Sequence, residues 1–101
     1  MHLELTRSGG LAGLRRTAVV DDSVLPPDDV RTLRALVDQA SVFDLPATIR
    51  STGSRADRFQ FHLTIDDGER RHTVDVDDGA VPALLRPLID WLMERSAPGS
   101  S

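Results

Sequence analysis

Polar and apolar residues alternate along His2-Leu3-Glu4-Leu5-Thr6-Arg7, which predicts a half-buried strand with Leu3 and Leu5 facing inward. Leu14-Arg15-Arg16-Thr17-Ala18-Val19-Val20 predicts a second strand with a less regular alternation, ended by Asp21-Asp22-Ser23. The intervening segment completes a hairpin. Pro26-Pro27-Asp28-Asp29 then opens a helix. Proline lacks only an N–H that the first turn leaves unpaired anyway, and the two aspartates suit the positive end of the helix dipole. Val30, Leu33, Val37 and Ala40, widened by Leu36, form one apolar stripe at helical spacing, with Arg31, Arg34 and Asp38 on the opposite side. Val42-Phe43-Asp44-Leu45-Pro46 stops this helix and folds Phe43 and Leu45 back under the core.

Residues 46–56 hold little apolar matter and predict a mobile surface loop. Arg58-Phe59-Gln60-Phe61-His62-Leu63-Thr64-Ile65 is the clearest strand, with Phe59, Phe61, Leu63 and Ile65 on one face. Asp67-Gly68 signals a two-residue turn. That turn sets Ile65 opposite Arg70, Leu63 opposite His72, Phe61 opposite Val74 and Phe59 opposite Val76. Asp77-Asp78-Gly79 ends the returning strand, and Val81–Leu85 predicts one helical turn. A new helix starts near Pro87, since proline cannot sit mid-helix without losing a hydrogen bond. Leu84, Leu85, Leu88, Leu92 and Trp91 supply its buried side. The order β-β-α-β-β-α predicts an α+β domain, a four-stranded antiparallel sheet with both helices packed on one face. It spans residues 1–95, and residues 96–101 form a disordered tail.

Length and composition agree with that class. A chain of 101 residues supports one domain with a modest core, and 40 % hydrophobic with 28 % charged residues is ordinary for a soluble globular protein. No apolar run approaches the roughly 18 residues of a membrane span, and no basic-apolar leader precedes the first strand. Neither a membrane anchor nor a signal peptide is expected, and the simplest expectation is a cytoplasmic monomer. The absence of cysteine removes disulfides, thiolate nucleophiles and thiolate metal sites together. The net charge is −4, and every basic side chain is an arginine. The arginines are scattered among aspartate pairs with no basic stripe to neutralise phosphates, so nucleic-acid binding is not expected.

Catalytic and metal chemistry find little support. His62 and His72 fall on opposite faces of their hairpin, His2 is near the terminus, and no His-Glu-x-x-His spacing occurs. Asp75-Val76-Asp77-Asp78-Gly79 departs from a calcium loop, its glycine one residue early and Arg86 where the bidentate glutamate belongs. Ser8 and Ser54 lack a nucleophile elbow, and Gly9-Gly10 with Gly13 precedes a strand, unlike a dinucleotide fingerprint. No enzyme activity and no cofactor are expected. What remains is Ser8-Gly9-Gly10-Leu11-Ala12-Gly13, whose three glycines allow close backbone approach to a partner. Its one bulky residue, Leu11, either packs on its own domain or enters another protein's pocket.

Several segments resemble the emfourin family. They are Leu5-Thr6-Arg7-Ser8-Gly9-Gly10-Leu11-Ala12-Gly13, Phe43-Asp44-Leu45-Pro46, Ala56-Asp57-Arg58-Phe59, His72-Thr73-Val74 with Asp78-Gly79-Ala80-Val81-Pro82, and Leu85-Arg86-Pro87-Leu88-Ile89-Asp90-Trp91-Leu92. The likeness runs in order along nearly the whole chain. In the family the first segment usually reads Ser-Gly-Gly-Phe-Ala-Gly, so Leu11 stands where phenylalanine is typical. The resemblance implies a proteinaceous inhibitor of thermolysin-like zinc metallopeptidases, the enzymes that include protealysin. Those enzymes prefer a bulky hydrophobic residue just after the scissile bond, which leucine satisfies as well as phenylalanine does. Ser8, Gly9, Gly10, Leu11, Ala12 and Gly13, together with Asp57 and Arg58, are the implied contact residues. Asp57 is a candidate ligand for the enzyme's zinc, and Asp57 and Arg58 equally suit the start of a strand. Two other readings stay open: a regulatory or adaptor domain with no peptidase target, and a small enzyme dependent on His62 or His72.

Overall fold

In the computed structural model, which describes residues 1–9, 15–50 and 59–98, the four strands expected from alternation all form. They are β1 (His2–Gly9), β2 (Arg16–Asp21), β4 (Phe59–Asp66) and β5 (Arg71–Asp77). Two short strands join them, β3 (Thr48–Ile49) and β6 (Ala97–Pro98). The sheet order is β3-β5-β4-β1-β2-β6. The expected four-stranded antiparallel sheet is thereby corrected. Its four long strands are antiparallel, but β3 runs parallel to β5, and the sheet has six strands and is mixed.

The added strands have a common cause. The outer edges of β5 and β2 carry N–H and C=O groups that need partners, and passing chain supplies them. Thr48 pairs with Asp75 and Ile49 with Val76, and the Asp75 N–H donates to the Ala47 carbonyl at 2.8 Å. Part of the polar segment expected as a surface loop is therefore strand. On the other side Ala97–Pro98 pairs with β2, inside the segment assigned to the tail. Proline is tolerated there because an edge strand need not donate from every residue.

One sheet face carries the core. Leu3, Leu5, Ala18, Val20, Phe61, Leu63, Ile65, Val74 and Val76 are all at most 5 % exposed. Leu33, Val37 and Ala40 of α1 (Pro27–Ala40) join the same cluster, as do Leu88, Ile89 and Leu92 of α2 (Arg86–Met93). Helix α1 begins on its proline and two aspartates as expected, and ends where Ser41 takes a left-handed conformation (φ 49°). The reversal drops Val42 into the core at 1 % exposure, with Phe43 and Leu45 half-buried beside it. Before α2, the Pro82 carbonyl accepts from Leu85 at 2.9 Å and Arg86 at 3.2 Å, closing the predicted single turn. That turn points Leu84 outward at 64 % exposure, correcting its expected burial, and Ile89 takes a core place instead. No helix of the described residues is long and apolar enough to cross a membrane.

The β4–β5 register is also corrected. Ile65 faces His72, Leu63 faces Val74 and Phe61 faces Val76, two residues from the expected pairing. A shift of two keeps every side chain on its face, so the core set survives. The last pair is Asp66 with Arg71, leaving Asp67–Arg70 as the turn. Asp67 explains the wider turn: its Oδ1 accepts from the N–H groups of Arg70 at 2.7 Å and Glu69 at 2.9 Å. Gly68, with φ 94°, donates its N–H to Asp66.

Those donors, the Arg70 N–H foremost, hold the Asp67 carboxyl below the usual aspartate value. A carboxyl whose pKa is lower folded than unfolded contributes fully above the ordinary carboxylate range, and the contribution is lost as pH falls through the lowered value. Asp67→Asn is therefore expected to melt below the native chain at neutral pH and to converge with it in strong acid. Equal melting temperatures at neutral pH would remove Asp67 as the organiser of the turn.

Candidate functional site

β1 ends where β2 and β4 begin, and β3 and β5 run up to that same end of the sheet. The chain leaves this end after Gly9 and after Arg50, and it returns at Arg15 and Phe59. Gly9 pairs directly with Phe59, and Ser8 with Gln60. The glycine-rich segment and the segment holding Asp57 and Arg58, far apart in the sequence, are thus rooted side by side on neighbouring strands. Gly9 has φ 104°, a backbone state that an L side chain would strain, so glycine suits the point where the strand departs. Of the expected contact residues, Ser8 and Gly9 lie in β1. Gly10, Leu11, Ala12, Gly13, Asp57 and Arg58 lie outside the described residues.

The roots are braced by arginine. The Arg7 guanidinium lies 4.5 Å from the Phe59 ring centre. Arg16, directly across from Arg7, donates to the Ser96 hydroxyl at 2.9 Å and the Ser96 carbonyl at 3.2 Å. Arg86 reaches over Phe61 at 5.9 Å and donates to the Asp78 carbonyl and carboxylate. Sequence reasoning placed Phe59 with the inward-facing set. The structure leaves it half-buried as a platform for Arg7, a role visible only once the register of β1 against β4 is known.

A groove of about 290 Å³ opens between Ser8, Arg50, Gln60 and the cross-strand pair His62 and Asp75. His62 Nδ1 is hydrogen-bonded to Asp75 Oδ1, and both side chains are more than half exposed. His72 lies on the opposite face, as expected, with its Nε2 donating to the Leu45 carbonyl at 2.7 Å. Among the described residues, no group of three or more His, Asp or Glu side chains is placed to hold a metal ion.

A larger hollow of about 540 Å³ lies at the other end, by the β4–β5 turn, between Met1, Arg34, Phe43, Asp44 and Arg70. Its cations already have partners. Arg70 stacks on Phe43 at 4.0 Å and pairs with Asp67, and Arg34 pairs with Asp22 at 3.1 Å. None of the expected contact residues lines it.

The model of the Emfourin family matches residues 5–93, from within β1 to the end of α2. No curated protein and no solved structure matches the chain.

Proposed function

The chain belongs to the Emfourin family, a family of peptidase inhibitors, and from that premise we propose that it inhibits thermolysin-like zinc metallopeptidases by occupying their active-site cleft with surface segments. The observation that supports this most is the pairing of Gly9 with Phe59. It sets two otherwise unrelated segments at one end of a rigid sheet, so both can reach one cleft together. In this reading Ser8–Gly13 lies along the cleft as a substrate would, and Leu11 fills the pocket for the residue after the scissile bond. The roots themselves, Gly9 and Phe59, are held in paired strands, so the points from which the segments depart need not be ordered on binding. Asp57, on the neighbouring segment, is the rival contact, a carboxylate that could ligate the enzyme's zinc.

Titration of a thermolysin-like peptidase with the purified chain, after pre-incubation and with a fluorogenic peptide substrate, is expected to abolish activity near one-to-one stoichiometry. The inhibitor should remain uncleaved on a gel. A folded chain that leaves several such enzymes fully active would overturn the reading and favour an adaptor domain on the same fold.

A further inference from the structure

The ten arginines among the described residues of this acidic chain divide into two sets. Arg31, Arg34, Arg70, Arg86 and Arg95 each pair with a carboxylate: Asp28, Asp22, Asp67, Asp78 and Asp29 respectively. Arg7, Arg15, Arg16, Arg50 and Arg71 have no carboxylate partner among the described residues. Only Arg71 of this second set lies at the β4–β5 turn, and the other four all lie at the end where the two segments are rooted.

That placement works against the isolated fold. Arg7 and Arg16 are direct cross-strand partners, and like charges so placed are destabilising. They turn apart, Arg7 onto Phe59 and Arg16 onto Ser96, neither of which neutralises a charge. Arg15 and Arg50 are exposed at opposite sides of the sheet end. With three strands between β3 and β2, they stand roughly 19 Å apart at the usual strand spacing. Of the carboxylates described at this end, Asp75 is bonded to His62, Asp78 pairs with Arg86, and Asp77, within reach of the Gln60 amide, shares the groove with Arg50. Four guanidinium groups that form no ion pair among the described residues therefore lie across one end of a chain whose net charge is −4.

We propose that this end is complementary to an acidic partner surface: Arg7, Arg15 and Arg50 meet carboxylates rimming the cleft of the inhibited peptidase. The inference rests on the inhibitor reading and adds the chemistry of the partner's rim. Guanidinium presents a planar fork that matches a carboxylate, and charges at an interface rim act chiefly on the rate of encounter. The band flanks both rooted segments, so attraction to the rim orients them toward the cleft before contact.

The test is stopped-flow association with a peptidase that the native chain inhibits. The association rate constant is expected to fall about tenfold between about 20 and about 200 mM salt, as steered encounters do. The double variant Arg15→Glu with Arg50→Glu is expected to associate about tenfold more slowly at low salt, with dissociation changed less than about threefold. Both side chains are exposed and form no ion pair among the described residues, so the fold should tolerate the change, and an unaltered melting temperature checks this. Arg71→Glu, a charge reversal at the far end, is expected to associate like the native chain. Inhibition that persists with salt-independent association, or with native-like association of the double variant, overturns the acidic rim and leaves the inhibitor reading intact. Native chain that inhibits nothing overturns both. Tight binding of a single-stranded oligonucleotide that the double variant loses, with peptidase association unchanged, would reassign the band to a nucleic acid and overturn the proposal.

Discussion

Leu11→Asp is expected to weaken inhibition of a thermolysin-like peptidase by at least about 100-fold. Burying a leucine side chain is worth about 1.5–3 kcal/mol. Forcing an unpaired carboxylate into the same apolar pocket adds a further cost of about 1–3 kcal/mol or more. The sum is about 2.5–6 kcal/mol, and each 1.4 kcal/mol is roughly tenfold in affinity. The melting temperature should stay native, because the strands that root the segment hold their core through Leu3, Leu5, Ala18 and Val20. A variant that inhibits as well as the native chain removes Leu11 from the cleft. In that event Asp57→Asn is the decisive companion, since lost inhibition in a folded Asp57→Asn protein transfers the main contact to the carboxylate. Leu11→Phe restores the residue usual in the family and is a conservative control, because the pocket takes either side chain.

The largest effect on stability is expected from Leu63→Ala. Leu63 is 1 % exposed on β4, with Leu5 of β1 on one side and Val74 of β5 on the other. Neighbours held in ladders on both sides cannot collapse into the space the side chain leaves. Truncation at such a site costs about 2–5 kcal/mol, against a total of about 5–15 kcal/mol for a domain of this size. The expected fall in melting temperature is roughly 8–40 °C, since about 1 kcal/mol moves a domain of this length by about 4–8 °C. Circular dichroism melting with a urea titration measures both quantities. A loss below about 1 kcal/mol would mean that β4 is not the packed centre of the sheet.

The two predictions draw on different kinds of legibility. Leu63 could be placed in the core from the alternation of Phe59, Phe61, Leu63 and Ile65 alone, because a period of two is a local property of a strand. The same holds for Leu33 and Val37, whose spacing marks one side of a helix. Leu11 stood out only as a large apolar residue among glycines, and the family likeness supplied its meaning. Leu84 misled because it belongs to a single turn, too short for helical spacing to say which way a side chain points. Asp67-Gly68 misled by two residues because the Asp67 carboxylate caps two successive N–H groups and widens the turn, a preference that the dipeptide does not express.

Read along the chain, hydrophobic period and proline placement were enough to establish four strands, two helices, their order and the buried faces of the long strands and of α1, since each of these depends on residues a few positions apart. The edge strands Thr48–Ile49 and Ala97–Pro98 are too short to carry a period, and they form because exposed ladder groups on β5 and β2 need partners. The contact of β1 with β4 joins residues 50 to 64 positions apart and is selected by packing in three dimensions. It is that contact which brings Gly9 beside Phe59. Arg15-Arg16, read in sequence, is an unremarkable pair split between two faces. In the folded sheet Arg16 stands opposite Arg7, with Arg50 across the same end, and a cationic band emerges from arginines that look scattered. Charge acts through space, so its pattern exists only after the strands have found their neighbours.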